Sequence, residues 1–322
     1  MIRTDGKLLR ILKKNIATED VKTLATYYLL YGILAEIFGR EVGFNKGLGG
    51  SMHTFFIPFG IFPNNAIVGG SADIAGGAAL YKKINRKPGI TIANIGDGSC
   101  SCGPVWEAMN MAAMEQYHTL WDEELRGGLP VLFHVSDNSY AVGDQPAGET
   151  MGHQMLARIG AAVNPQQMHA ERVNGYDVLA VIDAYRRKLP LLRSGEGPVL
   201  LDVVTYRYSG HSPSDAGAYR TREELDAWKS MDSLLVYGNQ LIEAGVCTEV
   251  QLADIQKQCD DMVIEVLKLT IDDEKTPSLD LCVHPEQLEN VMFSNLRKEA
   301  LDDRACESVL PQNENPRIAA IF

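Results

Sequence analysis

An apolar run that stops at a lone acid between two glycines constrains this chain most. "GITIANIGDGSCSCGPVWEAMNMAAM" runs from Gly89 to Met114. Gly89–Asn94 reads as a buried strand, and Gly96-Asp97-Gly98 as the turn at its carboxyl end. Pro104–His118 has helical spacing, with Trp106, Met109, Ala113 and Tyr117 at core positions. A second apolar strand, Leu129–Ser136, ends in Asp137-Asn138-Ser139-Tyr140. A short strand is expected at Ala66–Gly70, then a helix over Ser71–Asn85 whose small residues suit close packing. Tyr176–Leu192 predicts a further helix and Pro198–Tyr208 a last strand. Strands alternating with helices predict an α/β fold, a three-layer, mostly parallel sheet with helices on both faces.

The flanks read differently. Thr18-Glu19-Asp20 opens a helix that Gly39 ends. Its apolar stretch, Leu24–Phe38, is short for a bilayer and carries Glu36, so it reads as a core-facing helix and no membrane is expected. Past Tyr208, Ser209–Arg220 is built of turn formers, and charged helical segments follow it. The expected organisation is an α/β domain over 1–230, its N-terminal part shortened, and a helical extension with a linker-like tail over 231–322.

Charge narrows the function classes. Acids exceed bases by enough to give a net charge of −12, which argues against a nucleic-acid partner. An anionic cofactor would then need a metal ion, backbone N–H groups or a placed Arg. The six cysteines, Cys100, Cys102, Cys247, Cys259, Cys282 and Cys306, have no zinc-ligand spacing and read as thiols of a reducing compartment. No signal-peptide pattern opens the chain, and the expected location is cytoplasmic.

Open parallel sheets bind ligands at the carboxyl ends of their strands, where Asp97 and Asn138 fall. Gly-Asp-Gly alone is also an ordinary tight turn, and Asn138 alone an ordinary turn residue. Together, the Asp97 carboxylate, the Asn138 amide oxygen and the Tyr140 carbonyl supply three hard oxygens for Mg2+. Two diphosphate oxygens and a water would complete its octahedron. No G-x-G-x-x-G opens the first helix, so a nicotinamide-binding reading is weak. His134, inside the apolar strand, reads as a core histidine. Glu107 and Asn110 read as a structural polar pair.

Five ordered stretches, "KGLGGSMH", "AIVGGSADIAGGAAL", "GDGSCSCGPVWEAMNMAAM", "LPVLFHVSDNSYAVG" and "GEGPVLLDVVTYRYSGHSPSDAGAYRTREEL", carry a resemblance. The chain resembles the alpha subunit of the thiamine-diphosphate-dependent decarboxylating component of 2-oxo acid dehydrogenase complexes, nearest the pyruvate and acetoin branches. The resemblance covers roughly residues 31 to 231. It implies the thiamine-diphosphate-binding fold, with Mg2+ held by Asp97, Asn138 and Tyr140. Gly96, Gly98 and Ser99 would meet the diphosphate, and Ala66 and Val68 the aminopyrimidine. His211 is the implied catalytic residue, in a loop with Arg207 and Ser212 that closes over the cofactor. Ser212 matches a position that is phosphorylated in mitochondrial relatives, and His53 is a further motif position. The implied partners are a beta subunit or fused beta region, which supplies the activating glutamate, and a lipoyl-bearing acyltransferase. The implied reaction is oxidative decarboxylation of a 2-oxo acid, most simply pyruvate, with acyl transfer. Acetoin cleavage and a non-catalytic paralogue are the alternatives.

The resemblance has departures. Glu115–Gly128 lengthens the link between helix and strand and reads as a surface helical insertion. Asp137 stands where the family usually carries Asn, Cys102 where Glu or Gln is frequent, and Asp73 where Pro is frequent. A Tyr-Arg pair that grips the diphosphate in relatives has no counterpart before Arg40.

Overall fold

The computed structural model describes residues 6–286. The chain divides into two compact units, one running through Gly50 and resuming at Glu265, the other Ser51–Ile264. The boundary expected at 230 therefore lies inside the second unit. The tail past residue 286, Cys306 included, lies outside the described residues; the five other cysteines are free thiols.

The first unit begins with helices α1 (Lys7–Asn15) and α2 (Val21–Ile37). α1 buries Leu8 and Leu12. Asp20 caps α2 by accepting the Thr23 N–H at 2.7 Å, which satisfies a donor that the first turn leaves unpaired. α2 buries Tyr31 and, against its apolar surroundings, Glu36. Burial of a carboxylate is tolerated only with donors around it. Glu36 has them: it accepts the N–H groups of Asn45 (2.7 Å), Gly47 (2.9 Å) and Gly49 (2.6 Å) from the Gly-rich loop.

The second unit holds a four-stranded, wholly parallel sheet. In chain order its elements are α3 (Gly70–Ile84), β1 (Thr91–Gly96), α4 (Gly103–Ala112), α5 (Gln116–Thr119), β2 (Val131–Asp137), α6 (Ala157–Val163), β3 (His169–Asn174), α7 (Val178–Ser194) and β4 (Val199–Val204). The helices α8 (Arg222–Ser230), α9 (Ser233–Glu243) and α10 (Glu249–Thr270) follow. The sheet order is β1-β2-β4-β3, and Gly96 stands beside Ser136 in register. Side chains alternate across a strand, and here they feed two cores. Ala93, Phe133 and Leu200 pack with Ala72, Val105 and Ile159 from α3, α4 and α6. Leu132, Val173 and Leu201 pack with Ala184 and Leu192 from α7. Helices thus cover both faces, as the alternating pattern implied.

Several expectations are corrected. Residues 66–69 form a turn and Gly70 opens α3, so no strand forms at Ala66–Gly70. The Asn65 side chain accepts the Ile67 N–H at 2.8 Å, and Gly69, at φ 85°, caps α3 in a left-handed conformation that favours glycine. The helix expected over Pro104–His118 breaks at Ala113 into α4 and α5. The insertion is not purely superficial: Tyr117 is buried, and Trp121 meets it edge-on at 5.1 Å. β3 and α6 escaped the sequence reading. β3, "HAERVN", lies at the sheet edge with a single buried residue, so no apolar run announces it. α1 escaped it as well.

Candidate active site at the carboxyl edge of the sheet

β1 delivers Asp97 to the carboxyl edge of the sheet, and a single 3-10 turn, Asp97–Ser101, follows. Asp97 is 2% exposed. Burial raises its carboxyl above the ordinary range, while the N–H groups of Gly98, Asp97, Ser139 and Asn138 oppose that rise. Those last two donors belong to the turn after β2, so both strand ends meet at one carboxylate. The close approach requires Gly98, because a Cβ there would stand 2.8 Å from the Ala141 Cβ. Asp97 Oδ2 is buried with no hydrogen-bond partner. Asn138 Oδ1 accepts the Tyr140 N–H at 2.9 Å, and Ser139 takes φ 64° between them. This tight turn keeps the Asn138 amide and the Tyr140 backbone beside β1. Tyr140 itself is buried.

Asp137 does not stand free in this cluster. Arg172 on β3 reaches Asp202 Oδ2 on the neighbouring β4 at 2.9 Å and, across β4, Asp137 Oδ2 on β2 at 3.3 Å. Asp202 is fully buried and also accepts the Ala157 N–H at 3.1 Å. Burial, then Asp202 and Asp97, push Asp137 up to about 6 against the pull of Arg172. The same acids, after burial, push the Cys100 thiol up to about 12, which leaves it unreactive.

A third segment, the loop after β4, closes onto the same edge. Arg207 donates to the carbonyls of Ala141 (2.9 Å) and Val142 (3.2 Å) and to the Tyr219 hydroxyl (2.8 Å). Its Nη1 lies 3.3 Å from His211 Nδ1. Asp215 accepts the N–H groups of His211 (2.6 Å) and Gly217 (2.8 Å) and the Tyr219 hydroxyl (2.8 Å). Those donors, with the charge of Arg207, hold Asp215 down to about 2. Glu224 ties in the next helix: it receives the Tyr140 hydroxyl at 2.9 Å and the Tyr206 hydroxyl at 3.0 Å. The Arg220 guanidinium stands over the rings of Tyr140, Tyr206 and Tyr219 at 5.4–5.7 Å.

The structure gathers Asp97, Gly98, Asn138, Tyr140 and Arg207 in one contact network. His211 is exposed and joins it through its backbone N–H on Asp215 and its Nδ1 beside Arg207. Ser212 is exposed, its hydroxyl 3.1 Å from that of Ser214. Ala66 and Val68 sit in the turn before α3, and Val68 is 58% exposed, so it is no core residue. Gly96 ends β1, Ser99 is half-buried in the 3-10 turn, and His53 is half-buried in a turn. His134 has the partner expected but is half-buried and outside both cores: its Nδ1 lies 2.9 Å from the Tyr185 hydroxyl, and burial lowers its pKa. Glu107 and Asn110 are exposed. Among the described residues no helix is long and apolar enough to cross a membrane.

Sequence reading missed Arg172, Asp202, Asp215, Tyr219 and Glu224. Only Glu224 had a local signal. Thr221-x-x-Glu224 is a capping-box spacing, and Thr221 Oγ1 does accept the Glu224 N–H at 3.1 Å.

A parallel α/β unit with acid, amide and glycine backbone at the carboxyl ends of adjoining strands has the build of an open-sheet α/β protein that takes a ligand at that edge. Residues 19–279 match the family of the dehydrogenase E1 component. The alpha subunit of the pyruvate dehydrogenase E1 component of Rickettsia conorii is 32% identical over 238 residues, 74% of this chain and 68% of that protein. Its counterpart in Zymomonas mobilis is 36% identical over 257 residues, 78% and 67% of the two chains. That of Rhizobium meliloti is 34% identical over 238 residues, 73% and 63%. The chain belongs to the dehydrogenase E1 component family, whose members are thiamine-diphosphate-dependent enzymes.

Proposed function

We propose that this chain is the alpha subunit of a pyruvate dehydrogenase-type enzyme, decarboxylating a 2-oxo acid, with pyruvate the first candidate. One observation carries the reading. Asp97 is buried at a strand end with a carboxylate oxygen that no protein donor reaches. An acid so placed is costly without a counter-charge.

The donor set fits Mg2+ bound to a diphosphate: a carboxylate from Asp97, an amide oxygen from Asn138 and a backbone carbonyl from Tyr140, all hard oxygens. Gly98 and Ser99 would offer backbone N–H groups to the diphosphate, with Gly96 leaving room for it. Ala66 and Val68 form an exposed apolar turn that suits a pyrimidine face. Thiamine diphosphate, when bound, would supply the electron sink that decarboxylation needs. His211 would orient substrate from the loop that Asp215 and Arg207 hold. Arg207 gives Nη1 and Nη2 to the Ala141 and Val142 carbonyls of the turn after β2, so its role is to fasten that loop beside the metal ligands.

No carboxylate in the described part of the site is placed as the pyrimidine partner, and we assign that group to a beta subunit. The acyl group would pass to a lipoyl group on a further component. The test is calorimetry of thiamine diphosphate with Mg2+, then product assays with pyruvate, branched 2-oxo acids and acetoin in the presence of the beta subunit. Binding by the native chain, its loss in Asp97→Ala, and turnover of pyruvate are expected. Equal binding by Asp97→Ala removes the metal assignment.

A further inference from the structure

The opposite edge of the sheet carries a second feature. A cavity of about 550 Å3 opens where β1 and β2 begin, between the ends of α3 and α7. Six cations line it: Lys82, Lys83, Arg86, Lys87, Arg126 and Arg193, with Glu124 opposing them. Such a concentration is notable in a chain of net charge −12.

Cations gather at helix ends for an ordinary reason, since carbonyls leave partial negative charge there. Lys82 and Lys83 occupy the last turn of α3, and Arg193 that of α7. Each helix end counts as about half a negative charge. Together with Glu124 they balance about two of the six positive charges, and a surplus remains.

The side chains are not equally free. Lys82 donates to the Pro88 carbonyl at 3.0 Å. Lys83 donates to the Gly127 carbonyl and stands 5.3 Å from the Trp121 ring. Arg86 pairs with Glu124. Arg126 uses only Nε, on the Trp121 carbonyl at 3.0 Å. Lys87 and Arg193 are exposed and have no side-chain partner among the described residues. Two cations and the free end of a third therefore face one space whose wall is apolar at Ile90 and Pro130. Charge of this kind fits a chain of phosphates; the apolar wall fits a flat organic body, and the volume suits a small ligand.

We propose that this cavity binds a nucleoside polyphosphate, with Lys87, Arg126 and Arg193 on the phosphates and Ile90 and Pro130 against the base. The site is separate from the Asp97 edge and does not depend on the decarboxylase reading.

The test is calorimetry on the full chain, co-purified with its beta-type partner, with saturating thiamine diphosphate and Mg2+ to fill any other diphosphate site. ATP is the probe, inorganic tripolyphosphate the comparison. ATP is expected to bind, more weakly as salt rises. The Lys87→Glu/Arg193→Glu double variant is expected to lose about tenfold or more in affinity, while Lys13→Glu/Lys14→Glu, the same charge change elsewhere, leaves it unchanged. Circular dichroism checks that both variants fold. Absence of ATP binding, equal loss in both variants, or tripolyphosphate binding as tightly as ATP overturns the proposal.

Discussion

Asp97 holds one carboxylate oxygen out of water with no donor to meet it. Such an arrangement weakens the unliganded protein and favours whatever cation arrives. Asp97→Asn is therefore expected to leave the ligand-free chain as stable or about 1 kcal/mol more stable, while Mg2+-dependent cofactor binding disappears. Urea unfolding and calorimetry on the same preparation read the two effects. A destabilised apo variant contradicts this reading. Arg172 works in the opposite sense. Its removal leaves Asp137 and Asp202 buried together without their cation. Arg172→Ala should cost about 2 kcal/mol in urea unfolding, below the full loss for a sealed ion pair because the guanidinium is partly exposed. The position of Asp97 and Asn138 at strand ends was legible because each lies just past an apolar run. Arg172 was not, since its partner Asp202 lies 30 positions away. Nor were the tyrosine partners of Glu224, one of them 84 positions distant.

At the scale of elements, apolar runs predicted β1, β2 and β4, and helical patterning predicted α3, α4 and α7, while α6 went unread. The edge strand β3 was missed and the turn at residues 66–69 misread for two local reasons. Alternating polarity is weak at an edge, and a short apolar stretch with two glycines can turn as easily as extend. Gly128 leads into β2 where a Cβ would stand 2.0 Å from the Gly197 Cα. The clash is with backbone, so Gly128→Ala should cost about 3 kcal/mol or prevent folding, read by thermal unfolding. On β3, Glu171 meets Arg187 through both oxygens at 2.6 Å, with Lys188 at 3.3 Å. Arg187 first holds its pKa down from 4.5 to about 2. The native state thus binds its proton less readily than the unfolded chain. The stabilisation is whole above pH 4.5 and is lost as pH falls toward 2. Native protein should exceed Glu171→Gln in stability at pH 6, and the gap should close near pH 2. A gap that persists there rules this pairing out as its source.

For the whole molecule, the α/β architecture and family were legible because ordered motifs span most of the chain. Its division into units was not, because the first unit joins segments from both ends of the sequence. Phe62, Ile67 and Val68 are 42–66% exposed, and exposed apolar groups of this size mark contact surfaces. They lie at or just before the turn assigned to the pyrimidine. The chain alone should show almost no decarboxylation. Adding the beta subunit should restore turnover and slow amide hydrogen exchange over residues 62–68. Full activity from the lone chain refutes the shared site.

Glu36 has a consequence for how one glycine-rich segment behaves. Gly43–Gly50 would sample many shapes if left to itself, yet one carboxylate gathers three of its amides. Its disorder is thus surrendered during folding instead of at an encounter with a binding partner. Whatever later touches that segment meets amides already held by one carboxylate.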